Sequence, residues 1–350
     1  MMSILGILAI LLVLVIIFQI TRASEQLSEL QDEEAEQDMW NGVHAKLFVL
    51  FLVFGMVGAF YSVYAYADLF LPTGSVHGEL LDSMWFWSLA AILPIFVLTH
   101  ILLFAFAYIY RYNKDRKAKY FPHDNRLELI WTLIPAIVMV FLVMEGMRNW
   151  LKITGPASEE ALVIEATGEQ FKWTIRFPGA DGVLGKKVIR QMSESNPYGQ
   201  DWKDEANKDD FIATTDIYLP VNREILVKIN SHDVLHSFAL PQFQVKMDAV
   251  PGIPTRFKFT PKLTTKAYRE MKDDPEAMFE LACMELCGPS HWNMKRTFYV
   301  VEEEEYEAWA KEQPIYYEQK LEAEKAAKTA QAAQAAKEDL EKKDVVDNSK

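Results

Sequence analysis

Cysteine is nearly missing from this chain of 350 residues, which holds two, Cys283 and Cys287. That scarcity excludes the disulfide framework that staples small secreted domains. Basic residues are outnumbered, and a formal charge of −13 argues against nucleic acid as a partner; it suits plain solvation or a basic protein. No C-x-x-C-H stretch occurs, so no fused c-type haem domain is expected. No repeat is visible. The first apolar run, residues 4–20, lacks a preceding basic segment, and Ile20-Thr21-Arg22-Ala23 is a poor cleavage site. A retained anchor is therefore expected in place of a removed signal peptide.

The hydrophobic residues, 50% of the chain, are unevenly spread. After residues 4–20 come three longer apolar segments, 47–67, 84–110 and 129–147, each long enough to cross a bilayer as a helix. Residues 1–150 thus read as a transmembrane helical region of about four spans in contact with lipid. Residues 21–45 read as a polar loop or short helix. The 111–126 connection carries Arg111, Lys114, Arg116, Lys117, Lys119 and Arg126, whereas 68–83 carries no Lys or Arg. Basic loops stay cytoplasmic, so everything after Met147, and the N-terminus too, is expected on the outer side.

Beyond Trp150 the pattern changes to short runs rich in Val, Ile and aromatics, broken by turn residues such as Phe177-Pro178-Gly179-Ala180-Asp181-Gly182. Runs of this kind recur up to residues 297–301 and predict an antiparallel all-β sandwich or barrel over 151–302. In Arg256-Phe257-Lys258-Phe259 the alternation is clean, one face buried and one wet. Residues 185–210 are polar and read as a surface insertion. Residues 303–350 read as a charged tail, helical or partly disordered.

Between Cys283 and Met294 the chain reads C-M-E-L-C-G-P-S-H-W-N-M. Two thiolates, the His291 imidazole and the Met294 thioether form a soft donor set, suited to copper or zinc and poor for magnesium or calcium. An earlier histidine, His236, completes a set that suits copper: two bridging thiolates, one imidazole per ion, and weak ligands from the Met294 sulfur and the Glu285 carbonyl. A four-coordinate structural zinc on Cys283, Cys287, His291 and His236 is the alternative. A disulfide is a third reading, and it leaves His291 and Met294 without a role.

Cys283-x-x-x-Cys287-Gly288-x-x-His291-x-x-Met294 is preceded by Asp233-Val234-Leu235-His236-Ser237-Phe238 and Asp248-Ala249-Val250-Pro251-Gly252. With Arg126-Leu127-Glu128-Leu129-Ile130-Trp131-Thr132-Leu133-Ile134-Pro135, these segments strongly resemble subunit II of haem–copper cytochrome c oxidases, over roughly 84–313. The resemblance implies a cupredoxin-like Greek-key sandwich with a binuclear CuA centre. Cys283 and Cys287 would bridge the coppers, His236 and His291 would each ligate one, and Met294 and the Glu285 carbonyl would bind weakly. It further implies a Mg²⁺ at Glu285 shared with subunit I, and subunits I and III as partners. Electrons would pass from cytochrome c to haem in subunit I of a proton-pumping terminal oxidase. The expected location is a bacterial inner membrane with the copper domain on the periplasmic side.

By itself Glu128 reads as a solvated carboxylate near a helix N-terminus; the resemblance makes it a proton-channel entry. Trp173 reads as core packing or as part of an electron path. Phe171 stands where the family usually carries tryptophan, and lacks an indole N–H. That departure points to a different donor, such as a membrane-bound or tethered cytochrome. The two additional apolar segments point to an extra subunit or a supercomplex. His100 reads as a hydrogen-bonded neutral residue of the bundle, and His44, His77, His123 and His232 as surface residues. The rivals are nitrous oxide reductase, which carries a similar copper domain but needs a large catalytic domain, and a membrane-anchored copper chaperone, which would need a βαβ pattern. A quinol-oxidase relative would lack Cys283, Cys287 and Met294.

Overall fold

The computed structural model describes every residue except 1, 29–32, 68–72, 114, 194–195, 214–215 and 348–350. Lys114, the start of the 68–83 connection, two residues of the 185–210 segment and the last of the tail thus lie outside the described residues. The chain divides into two units, Met1–Phe70 with Trp87–Met139, and Leu71–Phe86 with Val140–Lys350.

Four long helices come first: α1 (Met2–Ser28), α2 (Glu33–Ala65), α3 (Val76–Ile109) and α4 (Asn125–Thr154). Among the described residues, three stretches are long and apolar enough to cross a membrane: Gln37–Ala65, Val76–Ile109 and Asn125–Thr154. Most of their large apolar side chains are exposed, which suits a hydrocarbon solvent, while the helix satisfies its own backbone groups. In the first unit Phe104 of α3 packs against Phe48 and Phe51 of α2, ring centroids 5.9 and 5.6 Å away. α1 and α2 take up most of residues 21–45, the stretch expected as a loop or short helix, so His44 stands in α2. Asp124 starts α4, its Oδ1 accepting from the N–H groups of Arg126 and Leu127 at 2.8 and 3.2 Å.

The second unit is built on two five-stranded sheets. Its strands are β1 (Leu162–Glu169), β2 (Lys172–Phe177), β3 (Phe211–Ile212), β4 (Ile217–Pro220), β5 (Ile225–Ser231), β6 (His236–Leu240), β7 (Val245–Ala249), β8 (Thr255–Phe259), β9 (Phe279–Cys283) and β10 (Lys295–Val301). One sheet runs β3-β2-β1-β5-β8 and the other β4-β10-β9-β6-β7. Alternation aims Ile225, Val227 and Ile229 of β5 and Phe257 and Phe259 of β8 into the core. The expected antiparallel order is only partly realised, because β1 pairs with β5 and β4 with β10 in parallel. Parallel pairing needs long connections, and the segments between these strands supply them. The short helix α5 (Thr265–Lys272), capped by the Thr264 side chain on Ala267 N–H, carries no apolar run that marks it in the sequence.

Two further helices follow, α6 (Glu303–Glu312) and α7 (Tyr316–Asp347). In α6 the spacing of Tyr306 and Trp309 makes one apolar face, and Trp309 lies 5.3 Å from Phe177 and 5.6 Å from Phe211 between ring centroids. The 185–210 segment is tied down by buried Arg176, which bonds Glu165 at 2.9 Å, Asp210 at 2.6 Å and Asn207 Oδ1 at 3.1 Å. Burial pushes Asp210 up to about 6 in spite of the guanidinium. Burial works the same way on Glu165, but Arg176 and Lys187 together hold it below the usual carboxylate range.

Both helix ends in this unit are bonded to the sheets. Ser75 Oγ donates to Phe243 O at 2.6 Å, Gly74 N–H to Gln242 O at 2.7 Å and Val76 N–H to Thr260 O at 3.0 Å. At the end of α4, Arg256 Nε donates to Thr154 O at 3.0 Å, and Lys258 Nζ reaches Pro156 O at 2.8 Å. His77 lies in this junction and is buried, its ring 5.2 Å from Phe257. The surface reading of His77 is corrected accordingly: the first turn of α3 sits beneath a strand instead of in an open loop.

Candidate metal centre

Strand register brings the donors together. Phe238 of β6 pairs with Cys283 at the end of β9. Side chains two apart on a strand share a face, so His236, two residues before Phe238, lies beside Cys283. The loop then folds back: Cys283 N–H donates to Met294 O at 3.1 Å, and His291 N–H to Gly288 O at 3.1 Å. The Cys283 sulfur lies 3.9 Å from His236 Nδ1, 3.9 Å from the Cys287 sulfur and 3.2 Å from the Glu285 carbonyl oxygen. The Cys287 sulfur lies 3.6 Å from His291 Nδ1 and 3.8 Å from the Met294 sulfur.

Two ligand atoms about 2.0–2.3 Å from one ion stand roughly 3.3–3.8 Å apart in tetrahedral-like geometry. The observed spacings are of that size, so the residues fit a soft metal. Both cysteines are free thiols, far beyond the roughly 2.05 Å of a disulfide. His236, Cys283, Cys287 and Met294 are buried, and His291 is half-buried. Burial, and then the neighbouring Cys283 thiol, push Cys287 up to about 11, so filling the site must release thiol protons.

Around the donors lies a layer that the sequence reading did not single out. Asp233 Oδ1 is 2.7 Å from His236 Nε2, which leaves Nδ1 facing the sulfurs. Burial opposes ionisation of Asp233, yet hydrogen bonds from His236 and from the N–H groups of Gln170 and Val234 hold its carboxyl below the usual range. Trp173 is buried and edge-on to His236, with ring centroids 6.0 Å apart. Trp292, next to His291, is 74% exposed and forms an apolar rim with Leu286. Glu128 is an exposed residue of the first turn of α4, and no hydrogen bond or ion pair joins its carboxylate to the donors among the described residues. His100 Nδ1 is 2.8 Å from Phe96 O within α3.

Gly288 lies in the ligand loop at φ +140°, a region that favours glycine. A Cβ there would stand 2.9 Å from Gln170 Nε2 and 2.9 Å from the Phe171 ring. Gly288→Ala is expected to cost about 1–3 kcal/mol in backbone strain alone and to loosen the loop. The readout is metal retained after dialysis against a chelator, and retention equal to the parent chain would contradict the close fit.

Fold and site together define a class: a membrane-embedded protein with a β-sandwich that holds a soft-donor metal centre suited to electron transfer. The profile described as cytochrome C oxidase subunit II, periplasmic domain, matches residues 162–301, and that of the subunit II transmembrane domain matches 69–148. The alternative cytochrome c oxidase subunit 2 of Bradyrhizobium diazoefficiens is 32% identical over 225 residues, covering 63% of this chain and 76% of that protein. Cytochrome c oxidase subunit 2 of Cereibacter sphaeroides is 29% identical over 242 residues, covering 63% and 70%. The crystal structure of the periplasmic domain of subunit II of Bradyrhizobium japonicum cytochrome oxidase aligns with 30% identity and a TM-score of 0.30, covering 45% of this chain and 94% of that one. The chain belongs to the cytochrome c oxidase subunit II family. It is the electron-entry part of a multi-subunit terminal oxidase.

Proposed function

We propose that electrons from cytochrome c enter the oxidase at a binuclear copper centre in this chain and leave for haem in subunit I, where O₂ is reduced to water with proton pumping. Cys283 and Cys287 would bridge the two ions, His236 and His291 would hold one each, and Met294 and the Glu285 carbonyl would bind weakly. The observation that carries this reading is how the donors divide. His236, Cys283 and Cys287 present donor atoms all within 4.8 Å of one another, a group that excludes His291, while His291 and Met294 flank Cys287. One tetrahedral zinc would need all four donors around one point. Copper supplies the one-electron capacity that these side chains lack. The chain's own part is rigid placement: Asp233 orients His236, and β6 and β9 fix the distance from His236 to Cys283.

Several finer assignments accompany this proposal. Trp173, in ring contact with His236, would lie on the electron path or brace it. Glu128, exposed at the start of α4, would open a proton channel into subunit I, and the Glu285 carboxylate would share a Mg²⁺ with that subunit. Subunit III would be a further partner, and the donor a soluble or tethered cytochrome c. We divide the chain into a helical membrane region (1–150) with α1 as a fourth span, a cupredoxin-like domain (151–302) and a charged tail (303–350). A bacterial inner membrane with the sandwich in the periplasm suits the basic 111–126 connection. A releasing chaperone site is disfavoured by the complete burial of His236 and Met294.

The test is made on the full chain in detergent, loaded with copper. Two coppers per chain and an EPR hyperfine pattern split by both nuclei are expected. Met294→Leu should keep both ions and change the spectrum and potential, because it removes only a weak thioether ligand. One zinc per chain with no visible band would overturn the proposal.

A further inference from the structure

Gln170 sits in the turn between β1 and β2, in the sheet that carries none of the donors. It touches both donor-bearing segments at once. Its side-chain Nε2 donates to the carbonyl oxygen of Cys287 at 2.6 Å. Its backbone N–H donates to Asp233 Oδ2 at 2.7 Å, and the other oxygen of that carboxylate meets His236 Nε2 at 2.7 Å. One residue therefore links the Cys287 loop to the His236 strand across the two sheets. The adjoining Phe171 ring and the missing Cβ of Gly288 close the contact, since any Cβ at 288 would press on both Gln170 and Phe171.

We propose that Gln170 is a positioning residue of the metal centre, a clamp that sets the Cys287 sulfur relative to His236. The clamp deepens the copper reading and rests on it for its spectroscopic consequence, although its mechanical part is independent of metal. Other contacts fix other parts of the site: β6–β9 pairing fixes Cys283, and the turn from Gly288 to His291 fixes the loop against itself. Gln170 fixes Cys287 against the opposite sheet. The Gln170 side chain is exposed enough that its loss leaves the core intact.

The experiment compares the full chain with Gln170→Glu and Gln170→Met in detergent. Both variants keep the backbone N–H to Asp233; the first keeps the shape without an amide donor, and the second replaces it with an apolar chain. In the metal-free proteins, alkylation of Cys287 by iodoacetamide, resolved from Cys283 by peptide mass, is expected to be about five times faster in both variants, as one net hydrogen bond allows. In the copper-loaded proteins, copper loss to a chelator should quicken by a similar factor, and the copper hyperfine splitting and potential should shift. Unchanged alkylation, splitting and potential in variants that melt like the parent would reduce Gln170 to a surface residue. Faster alkylation in chains that take up no copper would uphold the clamp and defeat the copper reading instead.

Discussion

Replacing Cys287 with serine is expected to abolish the paired-metal centre and lower oxidase turnover more than about 100-fold. Removing an outer-layer partner of a metal ligand already costs roughly 10–100-fold, and Cys287 is a donor at the middle of the set. Its sulfur meets Cys283, His291 and Met294 at 3.9, 3.6 and 3.8 Å, so no neighbour replaces it. Serine keeps the shape but offers a hard oxygen that stays protonated at neutral pH, a poor ligand for a soft ion. Copper content, EPR and cytochrome c oxidation by the assembled complex check this together. A variant that keeps two coppers and normal turnover would remove Cys287 from the ligand set, and with it the bridging arrangement.

The largest effect on stability is expected far from the metal, at Arg176→Met. Arg176 is buried and holds two buried carboxylates, Glu165 and Asp210, on separate strands and loops. Breaking one partner out of a buried ion cluster strands the others and costs about 3–5 kcal/mol. For a sandwich of this size that lowers the melting temperature by about 10 °C. The two acids answer pH in opposite senses. Asp210, raised from 3.8 to about 6, gives a contribution that is present below 3.8 and lost as pH rises through 6. Glu165, lowered from 4.5, gives one that is present above 4.5 and lost as pH falls through its folded value. Without Arg176 both acids should hold protons more tightly, so the variant's deficit is expected to be larger at pH 8 than at pH 5. Melting scans across pH give the answer; equal losses at both ends would mean that Arg176 acts by packing alone.

The donor set was legible in the sequence because most of it lies on one loop, and soft donors at that spacing have few other uses. Its bracing was not. Gln170 and Cys287 are separated by 117 positions and Gln170 and Asp233 by 63, and only the folded sheets make them neighbours. Strand existence was readable from alternation, but pairing sense was not: nothing in the run of β1 or β5 announces a parallel partner. Residues 303–312 look uniformly acidic in composition, yet Tyr306 and Trp309 at helical spacing are enough to bind α6 to Phe177 and Phe211. His77 was misplaced for a related reason, since its burial depends on Phe257, a residue of distant sequence.

The bonds from Ser75, Gly74 and Val76 to one sheet edge, and from Arg256 and Lys258 to the end of α4, bear on traffic at the electron port. A domain on a loose leash would sweep a volume and hunt for its donor. This one is moored at two points, so it cannot swing out to collect an electron and swing back to deliver it. The mobile partner must do the travelling, and turnover at low donor concentration should follow the donor's diffusion and the ionic strength that steers it.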